Sequence, residues 1–409
     1  MSAKERTPFQ PRPVSTIELS DQHKTGRLVL VAILLVIAAV AFYLAIKNRG
    51  TAAAGWQTID CLTKEANCSD EFTLMYDIGA EGANTNTEYK AVSALYSDAA
   101  VQAYRLFHSE QEFDGISNLA TVNKHPNEAV TVEPALYHAL ETIARSGDRR
   151  IYFGPLYWQY RIIFECDVDA EAADADPNRN PELKAFAARL AKLAADPAEV
   201  NLKLLGDSKV CLETGEAYEA LVKESGVPLY LDFGRLKNAL IADYIAERFS
   251  EQGLVHAVLS SKDGFARSLY AGAELESVIY SLQEDDLYPA AKLKYTAPMS
   301  LVYFRNYPAE LKSGQGYLYD DGSTVTDWIS ENDGLNHTAL PELLCLSREK
   351  TCAELVLENE DLFTAEIFDS SALHCNAVWA EGTALHVVGK DFTITETYSD
   401  SHKSFSVVY

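Results

Sequence analysis

Apolar and polar positions follow three different rhythms along this chain. From residue 28 to 46 there is no rhythm at all: LVLVAILLVIAAVAFYLAI carries no charge and almost no polar group over 19 residues. At about 1.5 Å per residue, such a run spans roughly 28 Å, the hydrocarbon thickness of a bilayer. A buried helix of a soluble domain would break the run with polar positions at helical spacing. The pattern predicts one membrane-spanning helix at 28–46. A cleaved leader is the alternative, with the small residues at 51–55 (TAAAG) as its cleavage site.

Beyond residue 71, helical and strand rhythms interleave. Residues 72–78 alternate as a strand does, and 90–107 and 133–145 repeat apolar positions at helical spacing. Pro134 suits the first turn of the second helix. Further helices are predicted at 181–195 and 236–252. Strands are predicted at 200–205, 210–212, 227–233, 255–260, 353–357 and 386–388. Residues 165–181 (ECDVDAEAADADPNRNP) read as an acidic surface loop. Asp167, Asp169, Asp174 and Asp176 alternate there, but the glycine and terminal glutamate of a calcium loop are missing. The fold class is α+β with antiparallel connections. The organisation is a polar tail at 1–27, the helix at 28–46, a juxtamembrane linker at 47–70 and one large domain at 71–409.

Charge and cysteines set the topology. The whole chain carries −25, and the region from Gly50 onward carries −29. Such a surface repels nucleic acid and anionic headgroups, which excludes nucleic-acid partners. Lys4, Arg6, Arg12, Lys24 and Arg27 precede the apolar run and Lys47 and Arg49 follow it, so the cationic preference for the cytoplasmic side favours the tail by a small margin. The domain is therefore expected outside the cell membrane, with the tail inside. Cys61/Cys68 and Cys345/Cys352 share one spacing, which reads as two small disulfide loops of an exported domain, or else as unpaired core cysteines. Cys166, Cys211 and Cys375 remain.

Several segments, taken in order, resemble the FAD:protein FMN transferases, the ApbE-like family. The resemblance runs from about residue 72 to 373. ISNLATVN at 116–123 and VTVEPAL at 130–136 look like the family's early segments, followed by Ser146-Gly147, Gly154-Pro155-Leu156 and Trp158. Arg149-Arg150 stands where the family has flavin-contacting residues. The fullest match is 232–243, DFGRLKNALIAD, against the family pattern D-L-G-G-I-A-K-G-x-x-x-D. Asp232, Gly234 and Asp243 keep register, Asn238 replaces the lysine and Lys237 stands one place earlier. By itself this segment reads as a strand, a turn and a helix whose N-terminus could face phosphate, or as an ordinary capped helix. AVLSSKDG at 257–264 keeps Asp263 and one glycine of the next motif. SGQGY at 313–317 matches, while HTALP at 337–341 keeps His337 and Pro341 but has Leu340 for an aspartate. AEIFDSSA at 365–372 resembles the motif that holds magnesium.

The family cleaves the FAD pyrophosphate and transfers FMN to a Thr or Ser hydroxyl of an exported acceptor protein. The resemblance implies FAD as substrate, magnesium as cofactor and a membrane-bound or exported acceptor flavoprotein as partner. Pro155, Asp232, Gly234, Lys237 and Asn238 would hold the flavin nucleotide. Glu366, Asp369 and Ser370 (or Ser371) would hold the metal, with Glu366 and Ser370 on one helical face. His337 would move the proton. The altered motifs leave a second reading open: a catalytically degenerate relative that binds flavin or acceptor and aids assembly. A structural or adhesion protein is the third and weakest reading, since that class is usually built from repeats.

Overall fold

The computed structural model describes residues 52–63, 71–283, 286–308, 314–399 and 403–408. The apolar run at 28–46 lies outside them. Among the described residues, no helix is long and apolar enough to cross a membrane.

The elements, in chain order, are β1 (Gly55–Ile59), β2 (Phe72–Ile78), α1 (Thr85–Leu106), α2 (Leu119–Lys124), β3 (Ala129–Thr131), α3 (Pro134–Ser146), α4 (Gly154–Glu165), α5 (Asp169–Ala175), α6 (Pro181–Ala194), β4 (Val200–Gly206), β5 (Lys209–Thr214), α7 (Glu216–Ser225), α8 (Leu236–Glu251), β6 (Ala257–Ser261), β7 (Phe265–Ser268), β8 (Glu274–Gln283), β9 (Asp286–Thr296), β10 (Met299–Arg305), β11 (Tyr317–Leu318), β12 (Thr324–Val325), β13 (Glu342–Ser347), α9 (Cys352–Phe363), β14 (Asn376–Glu381), β15 (Ala384–Val388), β16 (Phe392–Thr397) and β17 (Ser406–Val408). Among the described residues, nine strands form the main sheet in the order β1-β2-β6-β7-β10-β13-β14-β15-β17. All its pairs are antiparallel except β15 with β17. This is the expected α+β class. The folded chain starts earlier than expected, because Gly55–Ile59, within the anticipated linker, is the edge strand.

Period-two alternation divides the main sheet into two faces. Leu301, Leu344, Leu346, Val378 and Ala380 pack against Leu293, Tyr295 and Phe392 of a three-stranded sheet, β16-β9-β8. On the other side, α1 packs on β2, α8 on β6 and β7, and α9 on β10 and β13. There Phe304, Trp328 and Phe363 meet ring to ring, with centroids 4.8 Å and 5.3 Å from Phe304.

Three expectations are corrected. Residues 227–233 are not a strand: Leu231 and Asp232 bond to Asn123 and Ile151 rather than to a ladder. Residues 353–357 lie in α9, not a strand. Thr351 caps its start, and Glu354 returns a bond to the Thr351 N–H in a capping box. The acidic segment is not a solvated loop. It contains α5, and Asp169 and Asp176 accept hydrogen bonds from Tyr317 and Tyr319 at 2.9 and 3.0 Å.

The joint between the two sheets contains a titratable device. Glu342 at the start of β13 is buried and accepts from the Leu282 N–H of β8 at 3.3 Å. Burial pushes its carboxyl from 4.5 up to about 7. A raised folded pKa means the unfolded chain releases the proton first, so stability falls as pH rises from about 4.5 to 7 and levels above that. Glu342→Gln should flatten this part of the profile in denaturant titrations. An unchanged slope would show that other groups carry it.

Candidate functional site

Where α1, α3, α8 and α9 converge there is a cleft of about 930 Å³. That lies at the upper end of the range for small-molecule and cofactor sites. Its apolar walls come from Leu106 and Phe107 at the end of α1, Ala139 on α3 and Leu240 and Tyr244 on α8. Its polar lining includes Thr142, Asp243, Arg248, Arg267, Thr351 and Glu354. The resembling segments border it at Ile116, at Glu133-Pro134 and at Asp243.

Asp243 is fixed by α9. Its carboxylate accepts the N–H groups of Cys352 and Ala353 at 3.0 and 2.8 Å, capping the first turn, and pairs with Arg267 of β7. Burial opposes the charge on Arg267, but Asp243 outweighs it and holds the guanidinium firmly charged. The positive end of the helix dipole thus faces an acid belonging to the protein itself.

The residues singled out in the sequence for the flavin do not line this cleft. Asp232 is 2% exposed and is saturated from within. It accepts from Ser109 at 2.7 Å, the Gly234 N–H at 2.8 Å and Arg161 at 3.1 Å. Burial alone would raise its carboxyl, yet Arg161 and these donors hold it below the usual range. Gly234 has φ +51°, and an added Cβ would lie 2.2 Å from the Tyr157 ring. The close approach it permits is therefore to an aromatic ring, not to a phosphate. Lys237 lies over the Tyr104 ring, and Asn238 donates to Asp263 at 2.6 Å. Pro155 is buried in the first turn of α4, beside Gly154, whose missing Cβ admits the Leu229 carbonyl. Arg149 stacks on Tyr152, and Arg150 is enclosed by Asp148, Glu360 and Asp361. His337 is half-buried, with Nε2 3.3 Å from Asp333, and its Nδ1 is buried without a hydrogen-bond partner among the described residues.

The expected metal ligands do not form a chelating set. Glu366, Asp369 and Ser370 are all exposed. α9 ends at Phe363, so Glu366 and Ser370 do not share a helical face. Asp369 caps a single short turn, accepting from the Ser371 N–H at 3.0 Å and its hydroxyl at 2.6 Å. Among the described residues, no three His, Cys, Asp or Glu side chains converge to hold a metal. Asp243 and Glu354 do stand by the cleft, but their oxygens are engaged by Arg267 and by backbone N–H groups. This side-chain arrangement does not fit a magnesium ion, which needs free hard oxygens in near-octahedral array.

No family model and no curated protein matches this sequence. Solved structures do. The ApbE protein of Thermotoga maritima superposes with a TM-score of 0.51 at 11% identity, covering 83% of this chain and 97% of that one. The flavin transferase ApbE of Vibrio cholerae gives 0.51 at 12% identity, covering 85% and 98%. This chain has the ApbE fold. Such coverage includes nearly the whole of each ApbE chain, so the likeness is to the complete architecture rather than to one shared layer. Two of the resembling segments have clear structural roles here. Asn118 caps α2 in a capping box, and Asn123 clamps the Leu231 backbone from both sides at 2.7 and 2.9 Å. Arg267, Thr351 and Glu354 line the cleft but carried no legible motif. Only the capping pattern Thr351-x-x-Glu354 signalled that a helix starts there.

Proposed function

We propose that this chain is a membrane-anchored flavin-nucleotide-binding protein of the ApbE fold that serves exported acceptor flavoproteins as a binding or assembly partner. The cleft between α1, α3, α8 and α9 takes the nucleotide. The carrying observation is the cleft with the Asp243–Arg267 ion pair set against the first turn of α9, where the Asp243 carboxylate is already engaged by Arg267 and two backbone N–H groups. Apolar walls at Leu106, Leu240 and Tyr244 suit a flat aromatic ligand. The apolar run at 28–46, as a membrane anchor, would keep the domain on the extracytoplasmic side and raise its effective concentration near membrane-bound partners.

The second reading is FAD:protein FMN transfer itself. It is favoured by the cleft's size and by the fold shared with the flavin transferase ApbE of Vibrio cholerae. The two readings separate when the full chain in detergent is incubated with FAD, magnesium and a Thr-containing acceptor peptide. The binding reading expects saturable FAD binding with no peptide mass increase and no AMP. A covalent FMN adduct with stoichiometric AMP would instead establish the transferase. Failure to bind FAD would remove both.

A further inference from the structure

The Cys345–Cys352 pairing expected from spacing does not occur, and Cys68 of the other expected pair lies outside the described residues. Cys345 and Cys352 are both buried and unbonded to each other. Cys352 opens α9, and its thiol is directed at the carbonyls of Ala266 and Leu301, 3.4 and 3.6 Å away. Cys345 lies on β13 opposite Ala377 of β14. Cys375 stands two places before Ala377, just ahead of the first residue of β14. Its thiol approaches Asn359 of α9 at 3.7 Å and also meets the Cys345 thiol.

We propose that Cys345 and Cys375 are a dithiol that closes to a disulfide between β13 and the entry to β14. Three observations carry this. The two thiols are in contact. Cys375 precedes the first paired residue of β14, so its backbone lies off the ladder and can make the small approach a disulfide requires. Finally, the two thiols are differentiated: Cys345 is fully buried, and Cys375 is half-buried. Burial pushes the Cys345 thiol up, while the hydrogen bond from Cys345 lowers that of Cys375. Cys375 is the attacking group and Cys345 the resolving one.

The exchange needs a disulfide donor, such as oxidised glutathione. The Cys375 thiolate attacks one donor sulfur, breaking its S–S bond and releasing a thiolate. Cys345 then loses its proton and attacks the Cys375 sulfur of the mixed disulfide, releasing the second thiolate. Two protein thiols are oxidised and one donor disulfide is reduced to two thiols. The closed loop contains all of α9, whose first turn borders the cleft at Thr351, Ala353 and Glu354. Oxidation therefore fixes the frame that holds the Asp243 cap.

The test is a non-reducing peptide map of the full chain after oxidation with oxidised glutathione. The expected product is one cross-linked peptide joining Cys345 to Cys375, two hydrogens lighter than the reduced pair. It should vanish in Cys375→Ser and persist in Cys352→Ser. Closure of this loop should also raise the wild-type Tm by roughly 4 °C over the reduced protein. Complete alkylation of Cys345 after unfolding the oxidised protein, or its linkage to any other cysteine, would overturn the proposal.

Discussion

Asp243→Ala is expected to cost about 3 kcal/mol of stability, the largest loss from any single change around the cleft. The substitution removes a helix cap and leaves Arg267 charged, largely buried and without its partner. Two N–H groups of α9, those of Cys352 and Ala353, lose their acceptor at the same time. Each part has its own scale: about 1 kcal/mol for the cap, and more for the uncompensated guanidinium. Asp243→Asn separates them, since it keeps an acceptor for one N–H but abandons the ion pair. Its expected cost is about 2 kcal/mol. Urea titrations read both values from the midpoint at constant slope. A cost for Asp243→Ala below about 1 kcal/mol would show that Arg267 is adequately solvated without its partner.

Gly234→Ala is the second large effect. A methyl group there would lie inside the van der Waals envelope of the Tyr157 ring, which is buried and packed. The positive φ adds strain of about 1 kcal/mol for any L side chain. Together these predict a loss of about 3 kcal/mol or more. The measurement that isolates the clash is a double-mutant cycle with Tyr157→Ala. In that background the cost of Gly234→Ala should shrink to about 1 kcal/mol. An undiminished cost would place the constraint in the backbone alone. A purely ligand-related role for Gly234 would predict little change in stability in either background.

These two residues show how far the sequence could be read. Asp232, Gly234 and Asp243 stood out because their register matched a known pattern, and the structure does place them at a helix entry and along that helix. Their duties were not legible, because the partners come from distant segments: Arg161 and Ser109 for Asp232, Tyr157 for Gly234, and α9 for Asp243. A local pattern reports backbone geometry better than it reports who fills the space above it. Alternation found β2 and the helices around it, since each has one solvated face. It failed on β10 and β13, which are buried on both sides and read as continuous apolar runs. The start of α9 reads as a strand in the sequence because Ala353 to Leu357 offers apolar residues without a full turn of context. Spacing likewise paired Cys345 with Cys352, although a strand and a helix separate their side chains onto different neighbours.

The expected metal motif illustrates a further limit. AEIFDSSA has the right residue types, but the turn it adopts spends the Asp369 oxygen on its own backbone. Hard oxygen donors in sequence make a site only when the fold leaves their lone pairs free and aims them at one point.

The central claim is that the cleft beneath α9 holds a flavin nucleotide. The direct measurement is calorimetric titration of FAD into the full chain and into Thr142→Trp, which fills the cleft wall from α3. The account predicts saturable heat for the wild type and its loss in the folded variant. No heat in the wild type, or equal heat in both proteins, would contradict it.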